Sequence, residues 1–161
     1  MDAESVIVQF EPALARVVTS YERDQSLQDD LLQEVLIAVL TSLERLEDPG
    51  KLKQFVFRIA HNRCVSHVAK RMRERTSELP LEDQVCEAPR YEDALLSAQR
   101  SDRVLDAVRR LELPYRQVIT LLLEDMSYAE IAESLGISIA NVGVRANRAK
   151  QQLKAMLSHE R

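Results

Sequence analysis

The sequence predicts an all-α protein made of two small helical domains joined by a flexible linker. The chain of 161 residues is rich in Leu, Ala, Glu, Arg and Gln and contains only three Gly and five Pro. The first group loses little side-chain freedom in a helix, whereas Gly and Pro disfavour one. Apolar residues recur at helical spacing in both halves of the chain, and the stretch between the halves has no such period.

The first domain, residues 1–75, is predicted to contain three helices. The clearest runs from Leu27 to Glu47 and is stopped by Asp48-Pro49-Gly50. A weaker stripe precedes it, and a third helix follows from Phe55 to about Arg73. The apolar stripes of these helices are, in order, Phe10, Leu14, Val17, Val18 and Tyr21; then Leu31, Leu32, Val35, Leu36, Val39, Leu40 and Leu43; then Phe57, Cys64, Val65, Val68 and Met72.

The linker is predicted at residues 76–97, and the second domain at residues 98–161. The linker contains Pro80, Pro89 and several acids without a sustained period. Two helices follow before the most specific local signal of the chain. They are marked by Val104, Leu105, Val108 and Leu111, ending near Pro114, and by Val118, Ile119, Leu121, Leu122 and Leu123.

A helix-turn-helix is predicted near the C-terminus. Ser127 and Glu130 have the spacing of a capping box, so a helix should begin at Tyr128 and run to Leu135. Gly136 can adopt the left-handed conformation that ends a helix, and Ser138 is a good N-cap for the next one. A turn of about three residues between two helices is helix-turn-helix geometry.

The second helix of this motif has one packing face and one face suited to DNA. Val142, Ala146, Ala149 and Leu153 share the packing face. Asn can pair with adenine, Arg with guanine or phosphate, and Val with a thymine methyl group. The candidate DNA-reading residues are Ala140, Asn141, Val144, Asn147 and Arg148, flanked by Arg145 and Lys150, which are placed for phosphate contact. The alternative is a helical hairpin whose basic face is only solvated.

Charge is strongly segregated along a chain whose formal net charge is -4. Residues 1–50 carry 11 acidic and 3 basic side chains, whereas residues 51–75 carry 8 basic and 1 acidic. Residues 136–161 carry 5 basic and 1 acidic. Two basic blocks within an acidic chain indicate two separate contacts with an anionic partner.

Two faces of the first domain are candidate interfaces. The helix from Leu27 carries Asp30, Gln33, Glu34, Ile37 and Thr41 opposite its core stripe, so an exposed Ile lies among acids, which suits a basic partner. The alternative is a solvated acidic face. The next helix gathers aromatic, amide and cationic groups, which bind single strands by stacking and phosphate neutralisation. They are Phe55, Ile59, Asn62, Arg63, Ser66, Lys70 and Arg73, of which Phe55 and Ile59 could instead belong to the core.

Several other classes of protein are disfavoured. No run of about 18 apolar residues is present and the N-terminus does not resemble a signal peptide, so we expect a cytoplasmic protein. Cys64 and Cys86 are expected to be free thiols. A metal site of His61, Cys64 and His67, with Cys86 as a fourth ligand, is a weak alternative because His61 and His67 lie about 120° apart around a helix. No motif of an enzyme is present, so neither catalysis nor a cofactor is expected.

These motifs resemble the sigma-70 superfamily of RNA polymerase sigma factors, in the compact extracytoplasmic-function form that keeps only conserved regions two and four. The stretch DDLLQEVLIAVLTSLERL resembles the core-polymerase-binding helix of region two, and FVFRIAHNRCVSHVAKRMR resembles its promoter-melting helix. The stretch from LPYRQVITLLL to NRAKQQL resembles region four. The order and spacing of the three agree with that family. The resemblance implies an alternative sigma factor that directs core RNA polymerase to particular promoters.

The resemblance also implies roles for residues. Asp29, Asp30, Gln33 and Glu34, with Ile37, are expected at the clamp helices of the largest polymerase subunit. The loop from Glu47 to Lys53 and Asn62 are expected to capture a flipped non-template base, a step driven by binding. The other downstream candidates are Lys51, Lys53, Arg63, Ser66, Lys70 and Arg73, and residues from Ser138 to Lys150 are expected to read the upstream element near minus thirty-five. The partners implied are core polymerase, including the flap of its second-largest subunit, promoter DNA and an anti-sigma factor.

Two other hypotheses remain at this point. In one, the chain is a DNA-binding regulator in which only the C-terminal domain acts and the first half dimerises. In the other, it is a sigma-like protein that occupies core polymerase or an anti-sigma factor without initiating transcription. Phe55 in place of a common Trp, Ser66 in place of a common Asp, and Asn141 and Gly143 in the reading helix depart from the family pattern and leave the promoter sequence open.

Overall fold

The computed structural model describes residues 2–77 and 96–159, which form seven α-helices and contain no strand. The all-α prediction is therefore confirmed. Within these ranges no helix has the length and apolar character needed to cross a membrane. Most of the predicted linker, including Cys86, lies outside the described residues. The helices are α1 (Ala3–Tyr21), α2 (Gln25–Ser42), α3 (Leu52–Ser77), α4 (Leu96–Arg110), α5 (Leu113–Leu122), α6 (Tyr128–Leu135) and α7 (Ile139–His159).

Helices α1, α2 and α3 pack against one another along the predicted apolar stripes. Leu14 of α1, Val35 of α2 and Cys64 of α3 are completely buried. The rings of Phe10 and Phe57 meet edge to face, with centroids 6.1 Å apart, which is a favourable aromatic geometry. Each of the three helices thus contributes one apolar face to a common core.

A buried carboxylate fixes the turn between α1 and α2 against α3. Oε1 of Glu22 lies 2.8 Å from Nε2 of His67 and 3.2 Å from Nη1 of Arg71, and Oε2 accepts a hydrogen bond from the backbone N–H of Asp24. Burial opposes ionisation of Glu22, but these hydrogen bonds and positive charges outweigh it and lower its pKa. The ionised carboxylate therefore holds α3 at a fixed angle to α1 and α2.

The helix-turn-helix has the predicted boundaries. The Ser127 hydroxyl accepts from the N–H of Glu130, and the Glu130 carboxylate accepts from the N–H of Ser127, which completes the capping box. Gly136 has φ 70°, the left-handed conformation expected of it. Ser138 accepts from the N–H of Asn141 and starts α7. Local hydrogen bonds thus set the geometry between α6 and α7.

The N-terminal helices α1–α3 and the C-terminal helices α4–α7 pack together and share one hydrophobic core. Helices α4 and α5 lie against α1, and α6 lies against α3. Nε of Arg109 donates to the Thr19 carbonyl at 2.9 Å, and the guanidinium of Arg116 lies 5.7 Å from the centre of the Tyr21 ring. The two basic faces are therefore carried by one packed body.

Four residues of the predicted stripes are exposed, contrary to expectation: Leu40 is 39%, Met72 60%, Val104 39% and Leu123 58% exposed. Met72 lies near the end of α3, which has 26 residues and extends beyond the shorter α1 and α2. Leu123 follows the last residue of α5 and lies in a turn. The second helix also ends at Ser42 rather than Glu47, because the chain tightens into a 3-10 turn at Leu43–Arg45.

Candidate nucleic-acid interface

The outer face of α2 is acidic and has an apolar centre. Ile37 is 61% exposed, and the exposed Leu40 lies one turn further along the same side. The surrounding polar residues are Asp29, Asp30, Gln33, Glu34 and Thr41, all of which are exposed. This arrangement suits a partner that offers an apolar contact ringed by basic side chains.

The segment between α2 and α3 borders an open depression of about 480 Å³. Asp48 shapes this segment, because its Oδ1 accepts from the N–H of Gly50 at 2.9 Å. Partly buried Leu46 and Phe55 provide apolar surface, while amide and cationic groups provide hydrogen-bond donors. The lining residues are Arg45, Leu46, Glu47, Asp48, Lys51, Gln54, Phe55, Arg58 and Glu133. A planar, polar ring with an attached phosphate has the chemistry to fit such a lining.

Helix α3 carries the predicted basic face. Phe55 and Ile59 are partly buried and pack against the hydrophobic core, so they join the core rather than the solvent-facing surface. The polar members of the face are exposed and follow one another along the helix, as expected for contact with a phosphate backbone. They are Asn62, Arg63, Ser66, Lys70 and Arg73.

Helix α7 separates its packing face from its DNA-reading candidates as predicted. Val142, Ala146 and Ala149 are completely buried, and Leu153 packs against a second hydrophobic cluster. Arg145 is partly buried, so it is less accessible to DNA than the other candidates on this helix. The exposed candidates are Ser138, Ala140, Asn141, Val144, Asn147, Arg148 and Lys150. An exposed row of amide, apolar and cationic groups on the second helix of such a motif can enter a major groove.

Buried polar groups support α3 from behind. Nδ1 of His61 lies 3.4 Å from the hydroxyl oxygen of Tyr21. Burial lowers the pKa of His61 to about 4 and raises that of Cys64 to about 12. Neutral His61 and neutral Cys64 therefore face the core, directly behind exposed Asn62 and Arg63.

The residues of the metal hypothesis are not brought together. His61 contacts Tyr21, His67 contacts Glu22, and Cys64 is buried in the hydrophobic core. Within residues 2–77 and 96–159, no group of three or more His, Cys, Asp or Glu side chains is placed to hold a metal ion. His61 and His67 thus each have a structural partner of their own.

Two lysines of the downstream candidates are paired with carboxylates of α6. Nζ of Lys51 lies 2.7 Å from Oε1 of Glu133, and Nζ of Lys53 lies 3.6 Å from Oε2 of Glu130. The Glu133 hydrogen bond and charge raise the pKa of Lys51. These pairs join residues more than 70 positions apart, and no local pattern in the sequence indicated them.

Sequence reasoning also missed five lining residues of the depression: Arg45, Leu46, Gln54, Arg58 and Glu133. Arg45 and Leu46 lie in and directly after the 3-10 turn that follows α2, Gln54 and Arg58 lie in the first turns of α3, and Glu133 lies in α6. The only signal in the sequence was the excess of basic residues between 51 and 75, which includes Arg58 but does not indicate that its side chain lines the depression.

Comparisons with known proteins assign both halves of the chain to one family. Residues 6–74 match the family described as Sigma-70 region 2, and residues 101–153 match Sigma-70, region 4. The RNA polymerase sigma factor SigZ of Bacillus subtilis is 28% identical over 158 residues, which cover 98% of this chain and 88% of that protein. The ECF RNA polymerase sigma factor SigM of the same organism is 29% identical over 146 residues, covering 88% and 86%.

Solved structures share the same fold. The sigma factor RpoE of Bartonella quintana, in complex with the anti-sigma factor NepR, has a TM-score of 0.76 at 24% identity, covering 98% of this chain and 98% of that one. CnrH, in complex with the cytosolic domain of CnrY, has a TM-score of 0.72 at 24% identity, covering 99% and 89%. The likeness therefore extends over both groups of helices.

Proposed function

We propose how this chain binds polymerase and promoter from one premise: it belongs to the sigma-70 family and is an alternative sigma factor of the extracytoplasmic-function group that directs transcription initiation. The functional division is residues 1–75 for core binding and the downstream element, 76–97 as linker, and 98–161 for the upstream element. The observation that carries this division is the separation of an acidic face with an apolar centre on α2 from cationic faces on α3 and α7.

The α2 face binds core polymerase. Ile37 provides the apolar anchor, and the carboxylates around it complement basic residues of the clamp helices in the largest subunit. Buried apolar anchors ringed by polar contacts contribute most of the energy of protein interfaces. The proposed residues are Asp29, Asp30, Gln33, Glu34 and Ile37.

The depression beside α3 and the basic face of α3 engage the melted downstream element. An extruded base enters the depression, where Asn62 and the segment from Glu47 to Lys53 hold it, and the cations neutralise the strand. Unstacking a base costs a few kcal/mol, which these contacts must offset. The proposed contacts are Lys51, Lys53, Asn62, Arg63, Ser66, Lys70 and Arg73.

Helix α7 reads the upstream element from the major groove. Asn141, Asn147 and Arg148 make base or phosphate contacts, and Val144 contacts a thymine methyl group. Arg145, half-buried at the flank, and Lys150 contact phosphates. The remaining contacts are Ser138 and Ala140, at the first turn of the helix.

Promoter opening in this scheme uses binding energy, so the chain has no catalytic activity of its own and acts where polymerase and chromosome are, in the cytoplasm. We further propose control by an anti-sigma factor. Support comes from the two structural relatives, one of which is described as bound to the anti-sigma factor NepR and the other as bound to the cytosolic domain of CnrY.

A matched pair of substitutions tests the polymerase interface. Ile37→Glu places a charge at the centre of the α2 face, and Val8→Glu does the same at a valine of α1 that is 70% exposed. In a pull-down with core polymerase at moderate salt, Ile37→Glu should weaken association about tenfold, the loss of one interface anchor. Val8→Glu should bind like the wild type. Failure of the wild-type chain to associate, or equal behaviour of the two variants, contradicts the proposal.

Run-off transcription tests promoter selection. The chain with core polymerase should initiate at defined sites in a genomic fragment library. Asn62→Ala and Arg148→Ala should each reduce initiation while core association is retained, because they alter DNA contacts alone. Lys154→Ala, at an exposed lysine later in α7, serves as the control. Binding of duplex operator DNA without polymerase, and no promoter-specific initiation, would instead favour a conventional regulator.

A further inference from the structure

One face of α6 contacts the first turn of α3 and the residue just before it. Oε1 and Oε2 of Glu133 lie 2.7 and 3.0 Å from Nζ of Lys51. Glu130 approaches Lys53 at 3.6 Å, and the Ser134 hydroxyl donates to the Gln54 carbonyl at 3.4 Å. Glu130, Glu133 and Ser134 are spaced by three and four positions and share one side of the helix. Three contacts of α6 thus fall on residues 51–54.

Glu133 also forms one wall of the depression beside α3. Its carboxylate oxygens occupy the position at Lys51 that a phosphate oxygen of a bound strand would take, since both are anionic acceptors for an ammonium group. A phosphate arriving there meets a like charge at close range. The α6 face and an anionic strand therefore compete for the same lysine.

Other contacts hold α6 in this place. Arg16 of α1 makes a bidentate ion pair with Glu124, just before α6, with its shortest contact at 2.7 Å. Ile131 of α6 is completely buried in the core that the two groups of helices share. Lys51 and Glu133 are themselves half exposed, and ion pairs of that kind are weak. Glu133 consequently controls access to Lys51 more than it holds the halves together.

We propose that the α6 face of Glu130, Glu133 and Ser134 is an intramolecular docking surface for residues 51–54 that imitates nucleic-acid phosphate and masks the downstream DNA surface in the free chain. The partner of this surface is the chain's own cationic segment. Single-stranded DNA reaches Lys51 and Lys53 only by displacing the carboxylates of Glu133 and Glu130. The inference rests on the proposed function for the meaning of the masked surface, but the masking itself is measurable without polymerase.

The test compares two substitutions that remove one negative charge each. Glu133→Gln removes the mask, whereas Glu112→Gln alters an exposed carboxylate at the start of α5 whose side chain caps nothing. Binding of the full-length chain to a fluorescein-labelled, random-sequence 12-nucleotide single strand is followed by fluorescence anisotropy over a range of salt concentrations. Each additional phosphate contact on a single strand steepens the dependence of log K on log salt by about 0.7.

Glu133→Gln should bind the strand more tightly than the wild type and with a salt dependence steeper by about 0.7. Glu112→Gln should leave that slope unchanged. Adding Lys51→Gln to Glu133→Gln should abolish the gain, since the unmasked lysine is then gone. Equal effects of the two single variants, persistence of the gain without Lys51, or no measurable binding by Glu133→Gln overturns the masking proposal.

These outcomes separate the inference from the proposed function. If the wild type initiates at promoters with core polymerase but Glu133→Gln behaves like Glu112→Gln, only the masking proposal fails. If the strand-binding results are as expected but core polymerase shows no promoter-specific initiation, the masking of the cationic surface is supported and its assigned role at promoters fails.

Discussion

Protonation of His61 is expected to destabilise the protein as the pH falls below 6.5. The side chain is 8% exposed, and burial lowers its pKa from 6.5 to about 4. Because the pKa in the folded state is below that in the unfolded state, the unfolded chain takes up the proton first. The contribution of neutral His61 is complete above pH 6.5 and is lost between pH 6.5 and about 4.

The size of the effect at pH 5 follows from the same values. Each pH unit between 6.5 and 5 lowers the free energy of unfolding by about 1.4 kcal/mol, which gives about 2 kcal/mol in all. The groups that face His61 do not change charge in this range, because burial raises the pKa of both Tyr21 and Cys64. For a domain stable by about 5–15 kcal/mol, a loss of this size is easily measured.

Urea unfolding at pH 7.5 and pH 5.0, followed by circular dichroism, measures this loss. His61→Gln keeps a polar partner for the Tyr21 hydroxyl but does not titrate, so it should lose about 2 kcal/mol less than the wild type between the two pH values. His159→Gln, at an exposed histidine near the end of α7, should lose as much as the wild type. If His61→Gln and the wild type lose equal stability, the assignment of acid sensitivity to His61 is wrong.

Two further pairs of substitutions test the packing and the turn. Leu14→Ala removes a completely buried side chain and should lower the free energy of unfolding by about 2–5 kcal/mol, whereas Val8→Ala at an exposed site should change it little, as measured by urea unfolding. Gly136→Ala should lower the free energy of unfolding by about 1–2 kcal/mol because φ at this position is 70°, although an added Cβ would have space. Gly143→Ala, inside α7, should raise it by about 0.5–1 kcal/mol. A more stable Gly136→Ala than Gly143→Ala in thermal unfolding would contradict this interpretation.

The helix-turn-helix could be predicted almost residue by residue because short-range interactions determine it. Ser127 and Glu130 satisfy each other's backbone groups within one turn, and Gly136 is needed for a left-handed cap. Such signals lie within ten residues of one another and require no knowledge of the rest of the fold. The division of α7 into buried Ala146 and exposed Asn147 follows from helical spacing alone.

The limits of the apolar stripes were harder to predict because burial depends on what lies opposite. Leu40 and Leu36 follow the same helical period on α2, yet Leu40 is exposed while Leu36 packs against the core. Periodicity gives the direction in which a side chain points, but not whether a neighbouring helix reaches that point. Met72 is exposed for the same reason.

The packing of the two halves could not be predicted at all, since its contacts join residues far apart in sequence. Arg16 and Glu124 are separated by 108 positions, and Lys51 and Glu133 by 82. In the sequence all four are ordinary charged residues, so nothing in either segment marks it as half of a pair. The depression beside α3 shares this property, because Glu133 completes a lining that otherwise comes from residues 45–58.

The segregation of charge therefore serves two proposed contacts in one fold, one with a nucleic-acid strand and one within the chain. The proposed function requires basic residues between 51 and 75 for contact with a nucleic-acid strand, but the same lysines would attract any anion while the chain is free. Carboxylates supplied by α6 satisfy Lys51 and Lys53 within the molecule. Because these pairs are solvent-exposed and individually weak, a strand that brings several phosphates at once can displace them. A mask of this kind must be weak to be reversible, which explains why it consists of surface ion pairs rather than of a buried pair such as Glu22 and His67.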